Sequence, residues 1–251
     1  MTALGRITAE TRAAGRSFLR RRTAVFFTFF FPALLVVIFG ALITTQPTGG
    51  GLFAEPAGYY LPGYLAVVVL FTPLSRLGSE INRTRADSRF EKLATTPLTR
   101  REWLLAHTLI NVAIIGVACV LILGLVVALT DAPVPSLLAL LMLVPFVVCG
   151  VTVFCGIGTV LGSLVDSQDG AIAASNTVAL PLLFLSETFV PPELLPQWFR
   201  PAISASPLTY FARGVRDLTY TGAPWGESFI ILAGLAVVAL YVGARAVPQT
   251  E

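Results

Sequence analysis

Charge is scarce in this chain. Asp, Glu, Lys and Arg make up 12% of its 251 residues, against 55% apolar types. Soluble domains of this length carry about a quarter charged residues, so too little polar surface remains here to hold a folded chain in water, and the solvent has to be a bilayer. That excludes a soluble enzyme, and the net charge of +3 has no folded basic domain on which nucleic acid could bind. Histidine occurs once, at His107, with no obvious carboxylate or nucleophile beside it in sequence, and cysteine occurs only at Cys119, Cys149 and Cys155. None of the cysteines has metal-site spacing, and an odd number inside apolar runs reads as apolar filler. A G-x-x-x-x-G-K-[ST] phosphate loop is also missing, so the chain has no such cradle for ATP. Gly156-Ile-Gly158-Thr-Val-Leu-Gly162 is the nearest imitation, and without its lysine it reads as a small-residue face for packing helix on helix.

What the sequence has in abundance is long apolar runs. About 20 residues of helix cross the roughly 30 Å hydrocarbon core, and six segments qualify or nearly so: 24–45, 58–79, 104–129, 137–164, 170–190 and 227–247. The second is the weakest, interrupted by Pro62, Pro73 and Arg76. The expected fold is all-α, with six transmembrane helices in a single domain spanning 1–251. Basic residues set the orientation. Arg and Lys number fourteen over the N-terminal arm, the 76–101 stretch and the tail, against three in the 187–226 connection, which places both termini and the charged loop in the cytoplasm. The first run is too long for a signal-peptide core and lacks a cleavage site after it, so it reads as a retained span of a cell-membrane protein.

The arm, 1–23, has helical periodicity. Leu4, Ile7, Thr11, Ala14 and Phe18 share one side, and Arg6, Arg12, Arg16 and Arg20 the other. It reads as a basic amphipathic helix in the headgroup layer, either as a plain anchor or as a connecting helix that touches a cytoplasmic partner. Arg20, Arg21 and Arg22 mark the turn into the bilayer.

Nine of the twenty residues from Arg83 to Glu102 are charged, an unusual concentration in so uncharged a chain. Within RFEKLATTPLTRREWLL (89–105), Phe90, Leu93, Ala94 and Pro97 share a face while Glu91, Lys92 and Thr95 look elsewhere. A short helix ending near Pro97 follows from this. Thr99-Arg-Arg-Glu102 then has capping-box spacing and starts a new helix into the third span. The result is a protruding knuckle with an apolar ridge and a charged rim. Either it is a protein interface or it lies back on lipid.

FEKLATTPLTRRE resembles the loop between the second and third spans of type-2 ATP-binding-cassette (ABC) exporter permeases. That resemblance implies that loop 83–102 carries a coupling helix seated in a separate ATPase subunit, with Phe90, Glu91, Leu93, Thr96, Pro97 and Leu98 at the contact. Ser88 departs from the pattern, standing where many members have glycine. A second stretch, SETFVPPELLPQWFRPAISASPLTYFARGVRDL (186–218), resembles the family's extracellular element after the fifth span, a broken helix pair re-entering the outer leaflet over 191–218. Pro196, Trp198, Pro207, Leu208, Thr209, Tyr210 and Arg216 match it. On composition alone the same stretch is an external loop stiffened by proline, with Trp198 and Tyr210 suited to an aromatic belt.

The family resemblance implies a permease paired with a second copy of itself or a homologous permease; the apolar character of the path favours a lipid-like, glycolipid or drug-like substrate, with a polymer or another polar cargo as the alternative. ATP and Mg would be bound by a P-loop ATPase partner and no cofactor by this chain. It implies no catalytic residues and no metal site; the partners are that ATPase, the second permease and the lipid bilayer, without nucleic acid. The alternative is an ion-coupled secondary transporter working without an ATPase. Such a carrier needs ionisable groups near the midplane, and Glu187, at the outer end of the fifth span, is the main candidate; otherwise Glu187 caps locally or pairs with Arg200 or Arg216. Asp166-Ser-Gln-Asp169 is either a polar turn or a second docking point.

Overall fold

The computed structural model describes residues 2–42, 55–130, 132–186, 188 and 197–248. Among them every regular element is helical: α1 (Ala3–Arg20), α2 (Arg22–Val36, extended by a wider turn over Val37–Leu42), α3 (Ala57–Ala86), α4 (Arg89–Ala94), α5 (Arg100–Leu129), α6 (Leu137–Leu164), α7 (Gln168–Leu185), α8 (Arg200–Ala205), α9 (Pro207–Arg216) and α10 (Gly226–Ala246). Among the described residues, five helices are long and apolar enough to cross a membrane: α2 with its extension, α3, α5, α6 and α10. The sixth expected span, 170–190, corresponds to α7, which is not among them. Its 18 residues begin Gln168-Asp169 and carry Ser175 and Asn176 midway, which dilutes its apolar character.

The second apolar run, interrupted by Pro62, Pro73 and Arg76, is an unbroken 30-residue helix, α3, with both prolines inside it. It is the centre of the fold, packed against α5, α6, α7 and α9. Burial explains the tolerance: backbone groups freed by an internal proline are shielded or re-bonded when other helices surround them.

Glycine makes the closest helix contacts possible. A Cβ placed on Gly162 would lie 2.6 Å from the Gly78 carbonyl oxygen of α3, and one on Gly158 would collide with the Leu74 carbonyl. Both helix backbones therefore touch, as small-xxx-small pairs allow. Asn82 fastens the same spot, its amide donating to the carbonyls of Gly78 (3.2 Å) and Gly162 (2.9 Å). On the opposite side of α6, Gly156 meets α10, where a Cβ on Gly243 would lie 3.0 Å from the Gly156 Cα. Cys119 and Cys155 are buried and Cys149 half-buried, all as free thiols.

Candidate functional site: the charged end of the bundle and its cavity

The loop between α3 and α5 folds into the expected knuckle. Ser88 enters α4 with φ +50°, ψ +31°, the only positive-φ residue other than glycine among those described. L-residues pay a steric penalty in that region and glycine does not. α4 then ends at Thr95, and Thr99 opens α5 with a complete capping box: the Thr99 hydroxyl accepts from the Glu102 N–H (3.3 Å), and the Thr99 N–H donates to Glu102 Oε2 (2.8 Å).

The apolar ridge of α4 points inward. Phe90, Leu93 and Leu98 are half-buried against the core, and the Phe90 ring lies 5.6 Å from that of Trp103. Glu91, Lys92, Thr95, Thr96 and Pro97 are exposed. Periodicity identified which residues share a face; the direction of that face is set by Trp103. The exposed side of this knuckle is therefore mostly polar, and Phe90, Leu93 and Leu98 anchor it.

α1 is docked on α5. Arg6, grouped by periodicity with the outward arginines, turns inward and donates through Nε to Glu102 Oε2 (3.1 Å), with a second bond from Nη2 to Oε1. One carboxylate thus closes the α5 cap and holds the arm. Further along, Glu10 meets His107 Nε2 at 3.3 Å, and Thr11 donates to the Ala106 carbonyl (3.3 Å). The lone histidine does have a carboxylate partner, supplied from 97 residues away. Its hydrogen bond holds the Glu10 carboxyl below the ordinary carboxylate value. Leu4, expected on the apolar side, is 74% exposed. Ala14 and Phe18 are buried, while Arg12, Arg16, Arg20, Arg21 and Arg22 remain exposed. The chain turns at Arg21, the joint between α1 and α2.

Beside this cluster a cavity of about 760 Å³ opens between α2, α3 and α7, lined among others by Phe27, Phe31, Phe71, Arg76, Glu80 and Asn176. Glu80 pairs with Arg83 at 2.5 Å and with Arg21 at 3.9 Å. The Arg76 guanidinium donates to Asn111 Oδ1 (3.1 Å) and sits 4.5 Å over the Phe18 ring. In the sequence Arg76 stood out only as an interruption, because nothing local says that it faces a cavity.

A family model described as "ABC-2 type transporter" matches residues 7–220, which is most of the chain. This protein belongs to the ABC-2 type transporter family. Among curated relatives it is similar to the "Daunorubicin resistance ABC transporter permease protein DrrB1" of Streptomyces coeruleorubidus, 26% identical over 203 residues that cover 76% of this chain and 69% of the relative. It is accordingly a membrane-embedded permease subunit of an ABC exporter, without an ATPase motif of its own, and ATP hydrolysis belongs to a separate subunit.

In this ABC-2 permease the residues expected at the element after the fifth span divide. Glu187, Pro191, Pro192 and Pro196 lie outside the described residues. Trp198 is 79% exposed, and Pro207 takes the first position of α9, where its missing N–H costs no helix bond. The α8–α9 break is tied by Thr209 donating to the Ile203 carbonyl and Tyr210 to the Ser204 carbonyl, both at 2.7 Å. Arg216, buried at 6% exposure, donates to the Tyr59 (3.5 Å) and Thr188 (3.4 Å) carbonyls and lies 4.1 Å over the Tyr59 ring. At the other end, Asp166 meets Arg85 at 3.7 Å and Ser167 caps α7, so 166–169 is a capped turn.

Proposed function

We propose that this permease moves an amphiphile, lipid-like or drug-like, across the cell membrane, and that α4 is the coupling helix through which the ATPase drives it. The observation that carries this reading is the knuckle: a six-residue helix anchored by Phe90 on Trp103 and by the Thr99–Glu102 cap, with Glu91, Lys92, Thr95, Thr96 and Pro97 left facing outward. A surface so held transmits a push to α3 and α5 together. Through Glu102 and Arg6 the arm shares that surface. ATP and Mg bind the partner subunit and no cofactor binds this chain.

Counting α7 as a span gives six, with both termini in the cytoplasm and α8–α9 re-entering the outer leaflet. Ser175 supports the count: buried in α7, it satisfies its hydroxyl on the Leu74 carbonyl of α3 (3.3 Å), so one of the polar side chains midway along that helix is hidden from lipid. Two copies, or this chain and a homologous permease, would frame the path with their first, second and fifth spans, the helices that border the cavity. ATP-driven closure of the ATPase pair would then shift a two-state permease dimer. The name of the Streptomyces relative favours a drug-like cargo.

A second reading, an ion-coupled carrier, is favoured by Arg76 and Glu80 inside α3 at the cavity wall. Uptake of a fluorescent amphiphile into inside-out vesicles separates the two. The exporter reading expects uptake that requires hydrolysable ATP and survives ionophores. Uptake abolished by ionophores and indifferent to ATP would overturn it.

A further inference from the structure

We propose that the cavity between α2, α3 and α7 binds an amphiphile with an anionic headgroup, and that Arg76 is the residue that selects that charge. Its role as a cargo site rests on the exporter reading above; its chemistry rests on the side chains alone.

The cavity is polarised along its length. Phe71 lies on α3 about 7.5 Å from Arg76 at helical rise, and Arg76 about 15 Å from the α4 end of that helix. Phe27, Phe31 and Phe71 make an apolar compartment, and Arg21, Arg76 and Glu80 a polar one nearer the knuckle. At about 760 Å³ it falls within the roughly 300–1,000 Å³ of sites that hold small organic ligands. One end suits a tail and the other a headgroup.

The charges do not balance at the polar end. Glu80 is the one carboxylate among the lining residues, and it is taken by Arg83 and Arg21. Glu10, the next acidic group, is held by His107. Arg76 touches only neutral groups directly, the Asn111 side-chain oxygen and the Phe18 ring, and shares the field of Glu80, one turn along α3, with Arg21 and Arg83. Asn111 is itself fixed, its amide nitrogen donating to the His107 carbonyl at 2.7 Å, which turns its oxygen toward Arg76. No carboxylate reaches ion-pair distance of Arg76 among the described residues. One carboxylate shared among three guanidiniums leaves the half-buried Arg76 undercompensated, which is costly in a low-dielectric wall. Its remaining N–H fork matches a phosphate or carboxylate in two-point geometry. An anionic headgroup would supply the missing charge, whereas a cationic one would meet the undercompensated Arg76.

The test is binding to the purified full-length permease in phosphatidylcholine nanodiscs, without ATPase. The probes are a fluorescent monoalkyl phosphate, the matching alkyltrimethylammonium, and inorganic phosphate as competitor. We expect the alkyl phosphate to bind at least about tenfold tighter than the cation, Arg76→Gln to erase that preference, Arg76→Lys to retain part of it, and inorganic phosphate not to compete at millimolar concentration. Equal binding of the two amphiphiles, or an unchanged preference in Arg76→Gln, would overturn the proposal. Displacement by inorganic phosphate at the probe's own affinity would overturn its amphiphile part. Should Arg76→Gln fail to fold, the wild-type comparison and Arg76→Lys decide. Because no ATPase is present, loss of anion preference here and loss of ATP dependence in vesicles are separate failures.

Discussion

α2 and α3 are both apolar and both long enough to span a bilayer, yet 78% of the apolar window of α3 is buried inside the chain and only 11% of that of α2. Their compositions follow. α3 carries two prolines, Arg76 and Asn82, residues that lipid would penalise and that neighbouring helices accommodate. α2 shows Phe26 and Phe30 outward, each at least 46% exposed and stacked at 4.5 Å, while Phe27 and Phe31 line the cavity. In a membrane there is little hydrophobic drive between helices, so close packing, hydrogen bonds and small residues decide which helix goes inside. Apolar strength marks a span; small and polar residues mark the interior one.

Substituting at the α3–α6 contact should do the most damage. Gly162→Leu would push a side chain into the α3 backbone and displace the Asn82 bond, and we expect a loss of about 3 kcal/mol, read as a collapse of the monodisperse peak in detergent. Next comes the arm. Glu102→Gln removes the carboxylate shared by Arg6 and the α5 cap, so α1 should exchange amide hydrogen markedly faster while α3 stays protected. Protection of both helices unchanged would show that the arm is held by its other contacts, Glu10 on His107, Thr11 on Ala106 and the buried Phe18 and Ala14, without the Arg6–Glu102 pair. Ser88→Gly should stabilise slightly, by about 1 kcal/mol, through relief of the positive φ. Smallest is Phe30→Ala on the open face of α2, with an expected change in melting of the monomer under about 0.5 kcal/mol but weaker self-association in bilayers. A large stability loss in that variant would mean that α2 is part of the interior after all.

Much of this was legible because some signals are local. α6 spans Leu137–Leu164, as its uniform apolar run between Ser136 and Val165 dictates. The Thr99–Glu102 cap is a four-residue pattern, and Gly158 and Gly162 announce a backbone contact without naming the partner. What stayed hidden depends on distant chain. The prolines and arginine that weakened the second span as a lipid-facing helix are unremarkable in a central one. The inward turn of Phe90 and Leu93 is set by Trp103, the partner of His107 is on the arm, and the function of Arg76 needs α2 and α7 beside it. The polarity midway along α7, Ser175 and Asn176, is local and separates that helix from the five more apolar ones.

The most direct test of the coupling claim is affinity purification of the tagged permease from its native membranes in mild detergent, with mass spectrometry of what accompanies it. A near-stoichiometric P-loop ATPase is predicted, reduced at least about tenfold when the exposed pair on α4 is reversed by Glu91→Lys with Lys92→Glu, and retained in Phe30→Ala. An ATPase that stays bound to the reversed variant would contradict the assignment of the α4 face as the point where the motor engages.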